Sequence, residues 1–343
     1  MLSGCSLVPS KNGKVKTPQF TFSQSIWKST DGGKTWQAKN KGEGKAHTTN
    51  IEVLNLAINP QNSQNVFVGL RHGGILETNN GGDTWKFMNF KSDKVYGLAL
   101  SSSNGKAMLY ASGVWNKRGK IFKTSNDGEQ WQEIYTTPAE GPLIISLTID
   151  PKKSNIIYAT TSNNEAIKSV DGGASWKNIY EANAPILKVA VDYYDSNLIY
   201  FITDAGQIFR STNGGSNSEN ITQKINQSMV KFSRKNFNVL KTSLSKSGWV
   251  YLAGNGGIIL SKDKGESWKR ISTLDNPNEF PVNTLAINPK NYKELVYGAS
   301  QTVYKSSDNG AHWTTFQFNT KMKTRSLIYN PTNPNIVYVG FIK

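Results

Sequence analysis

One octapeptide, repeated seven times at near-even spacing, constrains this chain more than any other feature. It reads Ser29-Thr30-Asp31-Gly32-Gly33-Lys34-Thr35-Trp36 in its first copy. It returns at Thr78 to Trp85, Thr124 to Trp131, Ser169 to Trp176, Ser211 to Ser218, Ser261 to Trp268 and Ser306 to Trp313. The third positions, Asp31, Asn80, Asn126, Asp171, Asn213, Asp263 and Asp308, lie 42 to 50 residues apart, the length of one four-stranded blade. The residue types describe a hairpin turn. The Asp or Asn side chain accepts backbone N–H groups just ahead of it, glycine supplies left-handed backbone, and Ser or Thr adds a second local acceptor. Trp36, Trp85, Trp131, Trp176, Trp268 and Trp313 open the following strand and present a large flat surface to wedge the turn onto its sheet.

A second signal alternates with this box. Before each copy after the first comes an apolar-alternating strand, often ending in Asn-Pro or Asp-Pro, then a short polar turn and another strand, as in Leu54 to Pro60 followed by Asn65 to Gly69. The pattern recurs at Ile145 to Pro151, Leu187 to Asp192 and Thr284 to Pro289, and in weaker copies at Tyr96 to Ser101 and Val239 to Ser245. A short strand leads into each box, so one unit reads A, B, C, box, D, a β-meander. The first box has C and D strands, around Phe20 to Lys28, without A or B; the C-terminus, Arg325 to Pro331 and Asn335 to Phe341, has A and B without C or D. Joined, they complete a seventh blade and remove the open edge. The expectation is an all-β, seven-bladed propeller over residues 19–343, preceded by a tether over residues 1–18.

These boxes resemble the Asp-box, or BNR, repeats of bacterial sialidases, xyloglucanase-type glycoside hydrolases, sortilin-type receptors and photosystem II assembly factors. The resemblance covers nearly the whole chain and is specific for the fold, not for an activity. The single-propeller layout is most similar to the assembly-factor type, whose members imply a non-enzymatic scaffold. The fifth box departs from the pattern, with Ser218 in the tryptophan position and a long irregular stretch from Glu219 to Asn238 behind it, so its blade should be the least regular.

Seven boxes on seven blades cannot converge on one ligand, so their residues are read as structural. The place to search is the face built from B–C and D–A loops. Lys and Arg number 40 against 24 Asp and Glu, a formal charge of +16, which favours an acidic protein or glycan partner. The loop residues singled out for binding are Arg71, His72, Trp115, Lys117, Arg118, Arg234 and Arg325. Nucleic acid is not expected, because the cations are dispersed, mostly lysine, and accompany no nucleic-acid-binding motif.

The favoured reading is therefore a non-enzymatic binding or assembly scaffold, a monomer that docks an acidic protein or glycan surface; the rival is a glycoside hydrolase, sialidase-like or xyloglucanase-like. The sialidase resemblance implies an arginine triad, a Tyr–Glu pair and an Arg-Ile-Pro segment, and no Arg-Ile-Pro occurs. Glu140, Glu181, Asp204 and Glu279 fall in suitable loops for an acid pair. No catalytic residue is assigned. His47, His72 and His312 show no metal-ligand spacing, and neither metal nor cofactor is expected. Leu2-Ser3-Gly4-Cys5 resembles a bacterial lipobox and implies that Cys5 is lipidated, placing the chain in the bacterial envelope on the extracytoplasmic side, with a lipid anchor as its sole membrane link.

Overall fold

The computed structural model describes residues 24–44, 48–103, 106–227 and 237–343. Cys5, Phe20, His47 and Arg234 lie outside them, as does the tether. The described strands form seven four-stranded antiparallel sheets. Numbered by their boxes, blade 1 is the composite sheet. Blades 2 to 7 span residues 53–87, 95–136, 144–181, 186–220, 237–271 and 284–317.

Closure takes the expected form. In blade 1 the strand order runs Gln37–Ala38, Ile26–Ser29, Val337–Ile342, Lys323–Tyr329, with Ile26 opposite Gly340 and Trp27 opposite Val339. The two ends of the chain thus share one hydrogen-bonded ladder, which closes the ring and leaves only the short outer edge of each blade.

The box works as its chemistry suggests, with one addition. In all seven copies the Ser or Thr hydroxyl donates to the Asp or Asn side-chain oxygen two residues on, at 2.7–3.0 Å. The same hydroxyl oxygen accepts the N–H of the glycine four residues on, at 2.7–3.1 Å. The Asp or Asn oxygen in turn accepts the N–H four residues ahead. Glycine is required in box 4 for two reasons. Gly173 has φ +95°, and a Cβ there would come within 2.5 Å of Ile134 from blade 3.

Blades are joined by devices that repeat with the box. Trp85, Trp176 and Trp313 donate their indole N–H to a carbonyl at the outer strand of the preceding blade, Lys39, Ile134 and Ser272 respectively. Trp85 is fully buried. The residue just before the box is cationic in five copies: Lys28, Lys123, Lys168, Arg210 and Lys305. Lys28, Lys123, Lys168 and Arg210 reach the carbonyl of the fourth box position in the next blade, Gly81, Gly172, Gly214 and Lys264, at 2.8–3.0 Å. Each such charge-assisted bond contributes on the order of 1.5–3 kcal/mol where it is part-buried.

The A–B turns carry their own cap. Asp150, Asp192, Asn288 and Asn330 each accept the N–H groups two and three residues on, which is why Asx-Pro marks the strand end in sequence. Blade 3 lacks the proline. Its A and B strands, Val95–Ser103 and Lys106–Trp115, are the longest among the described residues.

Blade 5 is irregular in a way the sequence did not specify. Its last strand is only Glu219–Asn220, and a short helix, Thr222–Gln227, follows. Ile221 and Ile225 bury themselves beside Trp268 of the next box. Arg210, Lys224, Glu219 and Glu266 form a four-charge network, with Arg210 at 2.6 Å from Glu266 and 2.8 Å from Glu219. Blade 5 is thereby tied to blade 6 by charge as well as by Ile221 and Ile225.

Candidate functional site

The A strands line a central channel, and six of them carry a register shift near their loop-face end. Such a bulge re-aims the extra residue. In blade 1 that residue is Arg325. The loop face around the channel mouth is built from B–C hairpins and D–A loops.

The hairpin of blade 3 is the most defined of these. Trp115 pairs with Arg118 across the two-residue turn Asn116-Lys117, whose φ values of 52° and 63° are left-handed at both positions. That is a hairpin turn matched to the twist of its strands, so Trp115, 39% exposed, stands on a rigid tip. The D–A loop beside it is bound to the same hairpin, since Gly141 N–H donates to Lys117 O and Thr137 N–H to Gly119 O. Glu140 lies 3.9 Å from the Lys117 ammonium. An exposed aromatic plane and a carboxylate are thus held by one junction. Two further carboxylates, Glu165 and Glu181, are directly opposed across the C–D ladder of blade 4. Asp204 follows on the blade 5 hairpin, exposed, with its backbone N–H bonded to Pro185 O. Glu279, in the loop between blades 6 and 7, accepts from the Asn276 amide.

The remaining residues picked out in sequence are placed as follows. Arg71 donates to Glu52 at 3.1 Å, and His72 lies 2.7 Å from Asp93. Arg325 lines the channel rather than the outer rim. Arg71 acts on it electrostatically: enclosure, followed by repulsion from Arg71, lowers the Arg325 pKa.

Sequence reasoning missed two residues. Lys188 and Lys241 lie on adjacent A strands and line the same cavity, which has a volume of about 430 Å³. A signal was available: each is a cation within an apolar innermost strand, Leu187-Lys188-Val189 and Val239-Leu240-Lys241. Desolvation, with repulsion from Arg325 and Lys241, pushes the Lys188 ammonium down to about 8.

Among the described residues no cluster of three His, Cys, Asp or Glu side chains is arranged to hold a metal ion. A tyrosine–carboxylate pair does occur, Tyr304 hydrogen-bonded to Asp275. Burial and then Asp275 itself push the Tyr304 phenol up to about 12, and its ring stacks on Tyr297 at 4.4 Å. Tyr304 is therefore held protonated as a donor, the opposite of what a tyrosine nucleophile requires.

Fold and repeat together define a seven-bladed BNR-repeat propeller with an aromatic and several carboxylates on its loop face. The chain belongs to the family described as photosynthesis system II assembly factor YCF48, whose model matches residues 20–279. A sortilin-type model matches residues 256–341. The curated relatives include the xyloglucanase Xgh74A of Acetivibrio thermocellus, 27% identical over 194 residues, covering 46% of this chain and 22% of that protein. The chain thus spans about a fifth of this relative's length. The GH74 xyloglucanase of Xanthomonas campestris superposes with a TM-score of 0.69 at 14% identity, covering 90% of this chain and 52% of that one. YCF48 from Cyanidioschyzon merolae superposes at 0.63 with 12% identity, covering 84% and 95%.

These comparisons correct the functional expectation. The sequence reading set a non-enzymatic scaffold ahead of a glycoside hydrolase, and the xyloglucanase relative reverses that order. The physical reason lies in the charges that motivated the scaffold. Arg71, His72 and Lys117 each sit beside a carboxylate, and several other cations are spent in blade-to-blade bonds. The positive balance is thus partly structural cement.

Proposed function

We propose that this propeller is carbohydrate-active, a glycoside hydrolase of the xyloglucanase kind, whose loop face receives a β-glucan chain. The observation that carries the reading is the 27% identity over 194 residues with a xyloglucanase, a relation in sequence as well as in fold. The geometry supports a place for the substrate. Trp115 offers a fixed aromatic plane for a sugar ring, and Glu140, Glu165, Glu181 and Asp204 follow it around the face from blade 3 to blade 5.

Hydrolysis of a glycosidic bond needs one carboxylic acid to protonate the leaving oxygen and a second carboxylate to activate water or attack the anomeric carbon. Several carboxylates on one arc meet the requirement for residue type. The sialidase variant is less well supported, because Tyr304 is locked as a donor and Arg210 is committed to Glu219 and Glu266.

The test is release of reducing ends from xyloglucan by the purified chain and by Glu140→Gln, Glu181→Gln and Asp204→Asn variants. Loss of one acid or base lowers turnover by about 100-fold or more, with unfolding unchanged because all three side chains are exposed. A wild-type chain that releases nothing from xyloglucan or other β-glucans refutes the proposal.

A further inference from the structure

The central channel is chemically asymmetric. At its box-face end Pro60, Pro151, Tyr193, Leu244, Pro289 and Pro331 line it together with the polar residues Gln61, Ser101, Asp150 and Lys152. Above it the lining includes Arg325 and Lys188 near the loop-face ends of their strands and Lys241 nearer the box face, and no aspartate or glutamate. These cations come from blades 5, 6 and 1, so they approach the axis from different sides. None has a hydrogen-bond or ion-pair partner among the described residues. The amides of Asn238 and Asn283 line the same space.

Such an arrangement is costly without a ligand. Like charges around one cavity repel, and the surrounding protein removes part of the hydration that each cation has in open water. Water reaches the three side chains through the channel, yet protein surrounds them closely enough to lower the pKa of all three. Glu52 is engaged by Arg71.

We propose that the channel is a binding site for a small multivalent oxyanion centred on Lys188, with Arg325 on its loop-face side and Lys241 on its box-face side. The inference is independent of the glycan reading, since it concerns the channel and not the rim. The anion enters from the loop face, and its charge offsets a repulsion already built into the fold. Phosphate-type and carboxylate-type ligands share this chemistry.

The experiment titrates the full chain with inorganic pyrophosphate and, separately, with citrate, at constant ionic strength, by calorimetry and thermal melting. At least one of them binds wild type, raises its melting temperature and draws protons from the buffer, because an anion beside Lys188 restores its charge. The tighter of the two identifies the source as phosphate or carboxylate. Lys188→Met and Lys241→Met each weaken binding by about tenfold or more, the loss of one charge-assisted bond. Both should melt at or above the wild-type temperature, since an unpaired cation is removed. Lys293→Met, on the box face, changes the net charge equally and leaves binding intact. The proposal is overturned if neither anion affects wild type, or if the folded Lys188 and Lys241 variants bind as wild type does.

Discussion

Replacing Ser169 with alanine should destabilise the propeller more than replacing Asp171 with asparagine, although the aspartate gives the repeat its familiar character. Ser169 is buried, and its hydroxyl serves three groups: it donates to Asp171 at 2.8 Å and accepts the N–H of Gly173 at 2.8 Å and, more weakly, that of Asp171 at 3.4 Å. Alanine leaves the buried Gly173 N–H without this acceptor, at about 1–3 kcal/mol, and deletes a hydrogen bond to a carboxylate. A total of about 2–3 kcal/mol is expected, or roughly 4–6 °C at about 2 °C per kcal/mol for a chain of this size. Asparagine at 171 keeps the acceptor oxygen. The second box shows how the other half adapts, where Asn80 donates its amide to Thr84 at 2.9 Å and still accepts the Thr84 N–H. Urea and thermal unfolding of both variants would measure the difference. A Ser169→Ala protein within about 0.5 kcal/mol of wild type, or an Asp171→Asn protein less stable than it, would refute the view that the hydroxyl is the hub of the turn.

Two further predictions concern the whole ring and its charge. Deleting residues 324–343 removes the ladder partner of Ile26–Ser29, so the product should aggregate or fail to fold; a monomeric product with a normal melt would show that closure is dispensable. With its folded pKa near 8, below that of an unfolded lysine, Lys188 costs stability while protonated, so stability should rise as pH climbs from about 8 toward 10. Above pH 10 the buried phenols Tyr200 and Tyr251, whose pKa values are raised by burial, reverse the trend. Urea midpoints between pH 7 and 10 for wild type and Lys188→Met would show it, the variant having the flatter profile.

The ring was legible in sequence because its determinants are local. A box of eight residues contains nearly all partners of its own turn, and the shared blade follows from which strands each terminus lacks. The short helix at Thr222–Gln227 was not legible, since it is fixed by Ile221 and Ile225 packing beside Trp268 of another blade. The functional face was only partly legible. Side-chain type marked Arg71 and Lys117, while their neutralisation by Glu52 and Glu140 depends on loops 19 and 23 residues away in sequence. That Lys188 and Lys241 share a cavity was not legible, because closure of seven blades, a property of the whole ring, is what turns their strands toward a common axis.

Action of the loop face on a glycan is tested most directly by incubating the purified chain with xyloglucan and measuring reducing-end release beside the Glu140→Gln, Glu181→Gln and Asp204→Asn variants. The prediction is measurable turnover in wild type, lost in at least one variant that unfolds at the wild-type temperature. Undiminished turnover in all three would move the chemistry off these carboxylates, and no turnover in wild type would contradict the claim itself.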